Sequence, residues 1–233
     1  MPCLYNAGLT RKSIESVCNE RDVDLLLVDN GAEQGVKDVL YEFGRRSDVT
    51  VLANEQNIYV NPAFKQVIEY FMEVEVYDYL ILLNSDVAMH PSWSMVLKSR
   101  LAANPDEICL PTMADDIAAL TKPMTLKMEQ GREITGGVNG AFMVFSRKQV
   151  AMLDPFPDEI KLWFGDEYAF ELMRGCGFKT IMVPNLIGFH FGSQNIGRLP
   201  EAAEVIEQDK QVWAETVKPR MLKMIEDYNN QHA

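Results

Sequence analysis

Short apolar runs alternate with segments of helical spacing along the first half of the chain. The runs are rich in valine, leucine and isoleucine, which is typical of strands buried on both faces of a parallel sheet. This alternation predicts an α/β fold with a mostly parallel, Rossmann-like sheet covered by helices on both faces. The predicted strands are 23–28, 49–52, 77–83 and 108–110, and the predicted helices between them are 36–43, 61–74 and 91–102.

The alternation weakens beyond residue 114, where 114–132 predicts an irregular insertion. Later apolar runs at 141–145 and 180–183 predict further strands. A helical tail is predicted over 201–228, interrupted near Pro219, because proline lacks the amide hydrogen that a helix interior requires. We expect a single domain over 1–200 and a C-terminal tail, 201–233, packed on it through an apolar stripe of Val205, Val212, Trp213, Met221, Met224 and Ile225.

The composition is that of a folded protein with one sizeable core. Of the 233 residues, 47% are hydrophobic and 24% are charged. No apolar run approaches the roughly 20 residues that a membrane-spanning helix needs. The four cysteines lie far apart without a CxxC pair, and the first residues lack the pattern of a signal peptide. We therefore expect reduced thiols, no membrane span and a cytoplasmic location.

The charge balance is acidic, with 34 acidic against 22 basic side chains and a net charge of −12. Proteins that bind nucleic-acid backbones through their general surface carry the opposite balance. The basic pairs Arg45-Arg46 and Arg147-Lys148 are isolated, with no basic stripe between them. Bulk affinity for nucleic acid is therefore disfavoured, although a local basic cleft stays open.

Polar residues follow several predicted strands, at the edge where open α/β sheets bind ligands. The clearest case is Asp86, which comes three residues after the apolar run that ends at Leu83. A divalent cation bound to a diphosphate needs only one or two protein carboxylates, because phosphate and water oxygens fill the other positions. Asp86 is therefore a candidate metal ligand; the alternative is a turn or helix-capping residue ahead of Pro91.

Histidine is rare in this chain, and His190 lies between two aromatic residues just after an apolar strand. A neutral imidazole in this position could ligate a metal, or could be a core side chain bonded to the backbone. His90 and His232 are expected at the surface, without a role.

Two adjacent carboxylates, Asp166 and Glu167, begin a predicted helix after Trp163 and Phe164. They could be helix caps, since acidic groups in a first turn favour the helix dipole. A carboxylate beside aromatic residues can also be partly desolvated, which raises its pKa and suits a general base. The glycine-rich stretch 136–140 precedes a strand, so it is neither a dinucleotide fingerprint nor a P-loop. Its glycines could instead let the backbone approach a ligand closely.

The order of these elements over residues 1–193 resembles the GT-A glycosyltransferases, specifically the large family 2. Each motif is weak alone, and six in the correct order make the resemblance strong. The segments are Pro2-Cys3-Leu4-Tyr5-Asn6, Val28-Asp29-Asn30-Gly31-Ala32, Asn54-Glu55-Gln56-Asn57-Ile58, Leu83-Asn84-Ser85-Asp86, the glycine-rich 136–141 and Phe164-Gly165-Asp166.

This resemblance implies an inverting, metal-dependent transfer of a sugar from a nucleotide-diphospho-sugar, by default a UDP-sugar, to an acceptor hydroxyl. Residues 1–113 would form the nucleotide-sugar-binding half, and 114–200 the acceptor and catalytic half. Asp86 and His190 would hold Mn²⁺ or Mg²⁺, Asp166 or Glu167 would be the base, and 193–197 would be a flap over the donor. The implied donor contacts are Leu4, Tyr5, Asn6, Asp29, Asn57, Asn84 and Ser85, and the implied acceptor-side residues are Gly137, Asn139, Gly140 and Trp163.

Three positions depart from the family pattern. Asn84 replaces the first aspartate of the DxD-type metal motif, a change that other members tolerate. Gly165 stands where glutamate is usual, which leaves the choice of base open between Asp166 and Glu167. Tyr59 stands where glycine is usual, which puts the conformation of the diphosphate-side loop in question.

Two other classes of function stay open. The first is a non-catalytic nucleotide- or sugar-binding domain, against which the joint presence of Asp86, Asp166 and His190 argues. The second is a nucleotidyltransferase, which would normally carry a glycine-rich, basic loop after its first strand; residues 6–12 imitate such a loop poorly. The acceptor stays open among a polysaccharide, a protein, a small molecule and a hydroxymethylated DNA base, and so does a homodimer.

Overall fold

The structure is a computed structural model, and it describes residues 1–18, 20, 22–123, 131–136, 140–192 and 196–232. The strands are β1 (Pro2–Cys3), β2 (Leu25–Asn30), β3 (Val49–Asn54), β4 (Tyr79–Leu83), β5 (Val87–Met89), β6 (Ile108–Met113), β7 (Arg132–Glu133), β8 (Phe142–Ser146) and β9 (Thr180–His190). The helices are α1 (Ala7–Val17), α2 (Gln34–Phe43), α3 (Val60–Glu73), α4 (Trp93–Ala103), α5 (Arg147–Leu153), α6 (Gly165–Gly175), α7 (Ala202–Val212) and α8 (Lys218–His232).

The described strands pair in three sheets. In the first half of the chain, β1, β2 and β3 pair in parallel in that order. Among the later strands, from β4 onward, the directions are mixed: β6 pairs with β9 in parallel, whereas β5 and β7 pair with β9, and β4 with β8, in antiparallel. The predicted α/β class with a parallel sheet and a C-terminal helix is confirmed, and the sheet becomes mixed where the regular alternation of the sequence ends.

Because β1 contributes only two residues to its ladder with β2, it does not bridge β2 to β4 along their full length. An apolar cavity of about 570 Å³ lies there, lined by both strands and by neighbouring helices. Leu26, Leu80 and Phe71 are among its walls.

Helices cover the sheet on both faces, as the strand composition predicts. On one face α1, α2 and α4 pack into a core that includes Ile14, Leu40 and Leu97. On the other face α3, α5 and α6 pack into a second core together with α8. The face of α3 that its spacing predicts to be buried is buried, and it consists of Phe64, Val67, Ile68 and Phe71.

The tail is interrupted as predicted. A π-helical turn, Trp213–Val217, joins α7 to α8, and the Lys218 N–H donates to the Trp213 carbonyl. Pro219, which has no amide hydrogen to donate, follows directly at the start of α8. Of the predicted apolar stripe, Val205, Trp213 and Met221 are buried, and Val212, Met224 and Ile225 pack against the same core partly buried.

Two expectations need correction. Strand β9 continues seven residues beyond the predicted end at Val183, because the β6–β9 register shifts beside Pro184 and the ladder resumes after it. His90 is buried instead of exposed: its Nδ1 accepts the Ser92 N–H at 3.1 Å, and its Nε2 lies 3.0 Å from the Lys122 carbonyl oxygen. His90 is thus a structural histidine tied to the backbone.

All four cysteines are buried and none forms a disulfide. Among the helices in the described part of the chain, none has both the length and the apolar character needed to cross a membrane.

Candidate active site

A cleft of about 700 Å³ opens beyond the carboxyl ends of β1, β2, β4 and β9. This is the edge at which an open α/β sheet presents strand-terminal side chains to a ligand. Most of the sequence-predicted site residues that the structure describes line this one cleft. They are Leu4, Asn57, Asn84, Ser85, Asp86, Gly140, Trp163, Asp166, Glu167 and His190.

Strand pairing brings Asp86 and His190 together, although 104 residues separate them. Val87 pairs with His190 in the β5–β9 ladder, and the Phe191 N–H donates to the Asp86 carbonyl at 2.9 Å. As a result, Nε2 of His190 lies 3.2 Å from Oδ1 of Asp86. Their side chains are only 15% and 7% exposed, so both are largely withdrawn from solvent at the cleft wall.

The chemistry of this pair suits a divalent cation. A carboxylate oxygen and a neutral imidazole nitrogen are accepted ligands for transition-metal ions such as Mn²⁺. Among the described residues, no group of three or more His, Cys, Asp or Glu is arranged to hold a metal. The pair therefore fits an ion whose remaining positions are filled by a diphosphate and water, and it does not fit an ion held by protein alone.

Asp166 lies in the first turn of α6, and its carboxylate is fixed by two backbone hydrogen bonds. The Gly140 N–H donates to Oδ2 at 3.1 Å, and the Glu167 N–H donates to Oδ1 at 3.0 Å. A Cβ at position 140 would come within 2.3 Å of the Asp166 Cβ, so only glycine permits this approach. Burial raises the pKa of Asp166 above its ordinary value, and the backbone N–H groups act in the opposite direction.

Glu167 is the exposed member of the pair. Partial burial and the neighbouring Asp166 carboxylate both raise the pKa of Glu167. Both acids line the cleft, but the Asp166 carboxylate accepts a backbone N–H at each oxygen, and the one at Oδ2 comes from Gly140 of the glycine-rich segment. The geometry therefore favours Asp166 as the group with a fixed position and a proton affinity suited to a general base.

The residues expected on the acceptor side are only partly described. Gly140 and Trp163 line the cleft, and the Trp163 side chain is 48% exposed at its mouth. Gly137 and Asn139 lie outside the described residues, as do residues 193–195 of the expected flap at 193–197.

Three of the expected donor residues lie beside the cleft lining without being part of it. Asn6 is the N-cap of α1, where its Oδ1 accepts the Leu9 N–H at 3.3 Å. Asp29 uses Oδ1 to accept the Ala32 N–H at 2.8 Å and so closes the turn after β2. The ring of Tyr5 lies 5.2 Å below the guanidinium of Arg198.

Sequence reasoning missed Asn30, which organises the cleft floor. This buried residue ends β2, and its Nδ2 donates to Asn57 Oδ1 at 3.0 Å and to the Tyr59 carbonyl at 3.2 Å. Its Oδ1 accepts the Ile58 N–H at 3.2 Å. The signal in the sequence is an amide side chain at the end of a strand, directly after Asp29, to which the donor role was assigned.

Comparison with known protein families decides the assignment. The sequence profile of "Glycosyl transferase family 2" matches residues 1–150, about two thirds of the chain. The chain belongs to glycosyl transferase family 2. No curated protein matches it significantly in sequence.

Solved structures agree with this family at the level of the fold. A mannosyltransferase from Pyrobaculum calidifontis, in complex with GDP-Man and Mn²⁺, superposes with a TM-score of 0.63 at 12% identity, covering 97% of this chain and 72% of that one. GalNAc-T7 with UDP, GalNAc and Mn²⁺ gives 0.64 at 14% identity, covering 98% and 54%. TarS 1-349 from S. aureus, in complex with UDP, gives 0.64 at 12% identity, covering 100% and 70%. The chain therefore has the GT-A glycosyltransferase fold.

Tyr59 is the departure from the family 2 pattern that the structure explains. Its backbone adopts φ 69° and ψ 174°, a region that glycine occupies freely and that costs other residues about 1–3 kcal/mol. The glycine that the family pattern implies at this position would adopt this conformation without strain. The Tyr59 hydroxyl donates to Glu201 Oε1 at 3.2 Å, and Asn30 and Asn57 bond its backbone, so several contacts hold the strained residue in place.

Proposed function

We propose that this family 2 glycosyltransferase transfers a sugar, with inversion, from a nucleotide-diphospho-sugar to an acceptor hydroxyl. The observation that carries the proposal is the convergence of Asp86, His190 and Asp166 on one cleft. The cleft thus combines two candidate metal ligands, Asp86 and His190, which we call the metal corner, with the fixed and desolvated carboxylate of Asp166. A non-catalytic binding domain would have no need of the second feature.

The donor is best accommodated along the strand ends. The related structures that hold UDP or GDP-Man support a nucleotide-sugar donor, with a UDP-sugar as the leading candidate. Residues 1–113 would carry this donor side, with Tyr5 and Asp29 near the nucleoside and Asn57 and Ser85 near the diphosphate. Leu4, Asn6 and Asn84 would complete the donor contacts.

Asp86 and His190 would hold Mn²⁺ or Mg²⁺, which supplies positive charge against the leaving nucleoside diphosphate. Two related structures with bound Mn²⁺ support a divalent ion here. Because the pair provides only two ligands, ion and diphosphate are expected to bind cooperatively.

Asp166 would take the proton from the acceptor hydroxyl. The oxygen then forms a bond to the anomeric carbon while the bond from that carbon to the diphosphate oxygen breaks, so the configuration inverts. The raised pKa of Asp166 increases its affinity for that proton, and the Gly140 N–H keeps the carboxylate in place. Trp163, Gly140 and the neighbouring acceptor side would bind the acceptor.

The test is a two-stage assay on the whole chain. Thermal shift with UDP-sugars, dTDP-sugars and GDP-mannose, with and without Mn²⁺, should find a donor that raises the melting temperature, because a ligand of the native state stabilises it. Release of nucleoside diphosphate from that donor should then require Mn²⁺. Binding without release of diphosphate or transfer of sugar would favour the non-catalytic binding domain, and release of pyrophosphate would favour a nucleotidyltransferase.

A further inference from the structure

Asp209 lies on α7, outside the segment that matches the family profile, and its side chain is buried under the cleft wall. The residue is 1% exposed. Its Oδ1 accepts the Lys161 N–H at 2.7 Å, and its Oδ2 accepts the Leu162 and Trp163 N–H groups at 2.7 and 2.9 Å. One carboxylate from the tail thus binds three consecutive backbone amides of the segment that leads into α6.

Asn61 of α3 holds the same segment from the other side. Its Nδ2 donates to the Trp163 carbonyl at 2.9 Å, and its N–H donates to the Lys161 carbonyl at 3.0 Å. A Cβ at Gly165 would come within 2.1 Å of Asn61 Oδ1, so the contact is as close as glycine allows. We call residues 161–165 the acceptor loop; its backbone is clamped between α3 and α7.

The charge on Asp209 matters for this arrangement. In the part of the chain that the structure describes, no lysine or arginine forms an ion pair with Asp209, so the three N–H groups provide its compensation. Charge-assisted hydrogen bonds from backbone N–H groups are short and directional. An apolar side chain of similar volume could fill the space but would not fix the direction of three peptide units.

We propose that Asp209 is a positioning residue for the acceptor. By locking the acceptor loop, it holds the half-exposed Trp163 ring at the mouth of the cleft and sets the start of α6, and therefore Asp166, relative to the acceptor. Asp86 lies directly before β5 and His190 ends β9, and among the described residues the hydrogen bonds of the Asp209 side chain reach neither strand. We therefore expect the Asp86–His190 pair to be independent of Asp209. This inference rests on the proposed function, because it assigns a residue to the acceptor half of that reaction.

The tail makes two further contacts, one with the acceptor loop and one with a residue just before it. Arg220 of α8 makes a bidentate pair with Glu159, with Nη–Oε distances of 2.6 and 3.2 Å. The Phe164 ring stacks on Trp213 of the π-helical turn at 5.4 Å between centroids. The C-terminal tail is therefore a scaffold of the acceptor loop as well as a cover for the core.

The test compares Asp209→Asn with Glu207→Gln, an exposed acid on the same helix. Asparagine keeps the size of aspartate, but its NH₂ group must face at least one of the three N–H donors. We expect hydrogen exchange in a peptide covering 160–166 to quicken at least about tenfold in Asp209→Asn and to stay at the parental rate in Glu207→Gln. Calorimetric affinity for UDP with Mn²⁺ should stay within about twofold in both variants.

Steady-state kinetics distinguish a positioning role from a purely structural one, because a purely structural role would not change the acceptor KM selectively. With UDP-glucose or UDP-N-acetylglucosamine, whichever the parent turns over, and p-nitrophenyl glycosides as acceptors, Asp209→Asn should raise the acceptor KM about tenfold or more while the donor KM stays within about twofold. Equal changes in both KM values, or unchanged exchange over 160–166, would overturn the inference.

If Asp209→Asn fails to fold, Asn61→Ala removes the clamp from the α3 side and should give the same split between acceptor and donor KM. A parent protein that turns over no nucleotide sugar would overturn the proposed function, and the acceptor role of Asp209 with it. Faster exchange in Asp209→Asn would then still show that this carboxylate holds the loop.

Discussion

On the donor side of the cleft, strand register places the side chains. Asp86 and His190 meet because Val87 pairs with His190 in the β5–β9 ladder, and Asn30 bonds Asn57 because β2 ends beside the start of α3. On the acceptor side, side chains from distant helices hold a loop. Asp166 takes its position from Gly140, and the loop before it is clamped by Asn61 and Asp209.

Because of this difference, we expect the donor side and the acceptor side to respond differently to amino-acid substitutions. Backbone ladders are cooperative, so the donor corner should tolerate substitutions nearby and fail only when a ligand itself is removed. The acceptor side depends on single side-chain contacts to the backbone, so single substitutions there should change catalysis while leaving donor binding intact. The expected effects of four such changes are given from the largest to the smallest.

The largest effect is expected for Asp166→Asn. A general base acts in the transition state, so turnover should fall about 10²–10⁴-fold, while affinity for UDP with Mn²⁺ stays at the parental level. Steady-state kinetics and calorimetry on the same preparation measure both. Glu167→Gln is the matched control and should retain most of the activity. An active Asp166→Asn beside an inactive Glu167→Gln would move the base by one residue.

A smaller loss is expected for Gly140→Ala. The added Cβ would lie 2.3 Å from the Asp166 Cβ, so the carboxylate must move. A displacement near 1 Å costs about 10²-fold in rate, and we expect about 10–10²-fold lower turnover with unchanged UDP affinity. Gly136→Ala, in the same glycine-rich segment but with no atom of the described residues within 4 Å of the new Cβ, should behave like the parent. Equal rates for both variants would mean that Asp166 does not need this contact.

The pH profile should report the raised pKa of Asp166. Because the base must be deprotonated, kcat/KM should rise with pH through a midpoint above the ordinary aspartate value of about 3.9, and Glu167→Gln should keep this limb. The stability contribution of Asp166 is fully present below its unfolded-state pKa and is lost as pH rises through the raised folded-state pKa. Asp166→Asn should therefore gain in melting temperature relative to the parent as pH rises toward 7. A relative gain on lowering the pH would contradict the direction of the shift.

The smallest effect concerns the strained residue on the donor side. Tyr59→Gly and Tyr59→Ala both remove the ring and the Glu201 contact, but only glycine relaxes at φ 69° and ψ 174°. Chemical denaturation should find the glycine variant more stable than the alanine variant by about 1 kcal/mol. An alanine variant as stable as the glycine variant would show that the backbone at residue 59 changes conformation without cost. That result would contradict the fixed conformation described above for this donor-side loop.

Elements with a clear apolar period could be predicted from the sequence, whereas residues placed by distant contacts could not. Helix α3 and strands β2, β3, β4 and β6 were predicted within a few residues, because apolar periodicity reflects burial directly. Strand β9 was predicted to end at Val183, yet the β6–β9 ladder resumes at Ile187 after a register shift, and β5 pairs with β9 as far as His190. Asp209 had no local signal at all: it is one acid in a polar helix, and only the folded tail brings it to the acceptor loop.

The central claim is that Asp86 and His190 form a metal corner that binds the donor diphosphate. Calorimetric titration of UDP with Mn²⁺, and again with the ion chelated, tests it in the parent and in Asp86→Ala and His190→Ala. The account predicts that Mn²⁺ strengthens UDP binding by about tenfold or more in the parent, that Asp86→Ala abolishes this gain and that His190→Ala weakens it, with melting temperatures near the parental value. UDP affinity that is equal with and without Mn²⁺ in the parent, or a full Mn²⁺ effect in Asp86→Ala, would contradict the account.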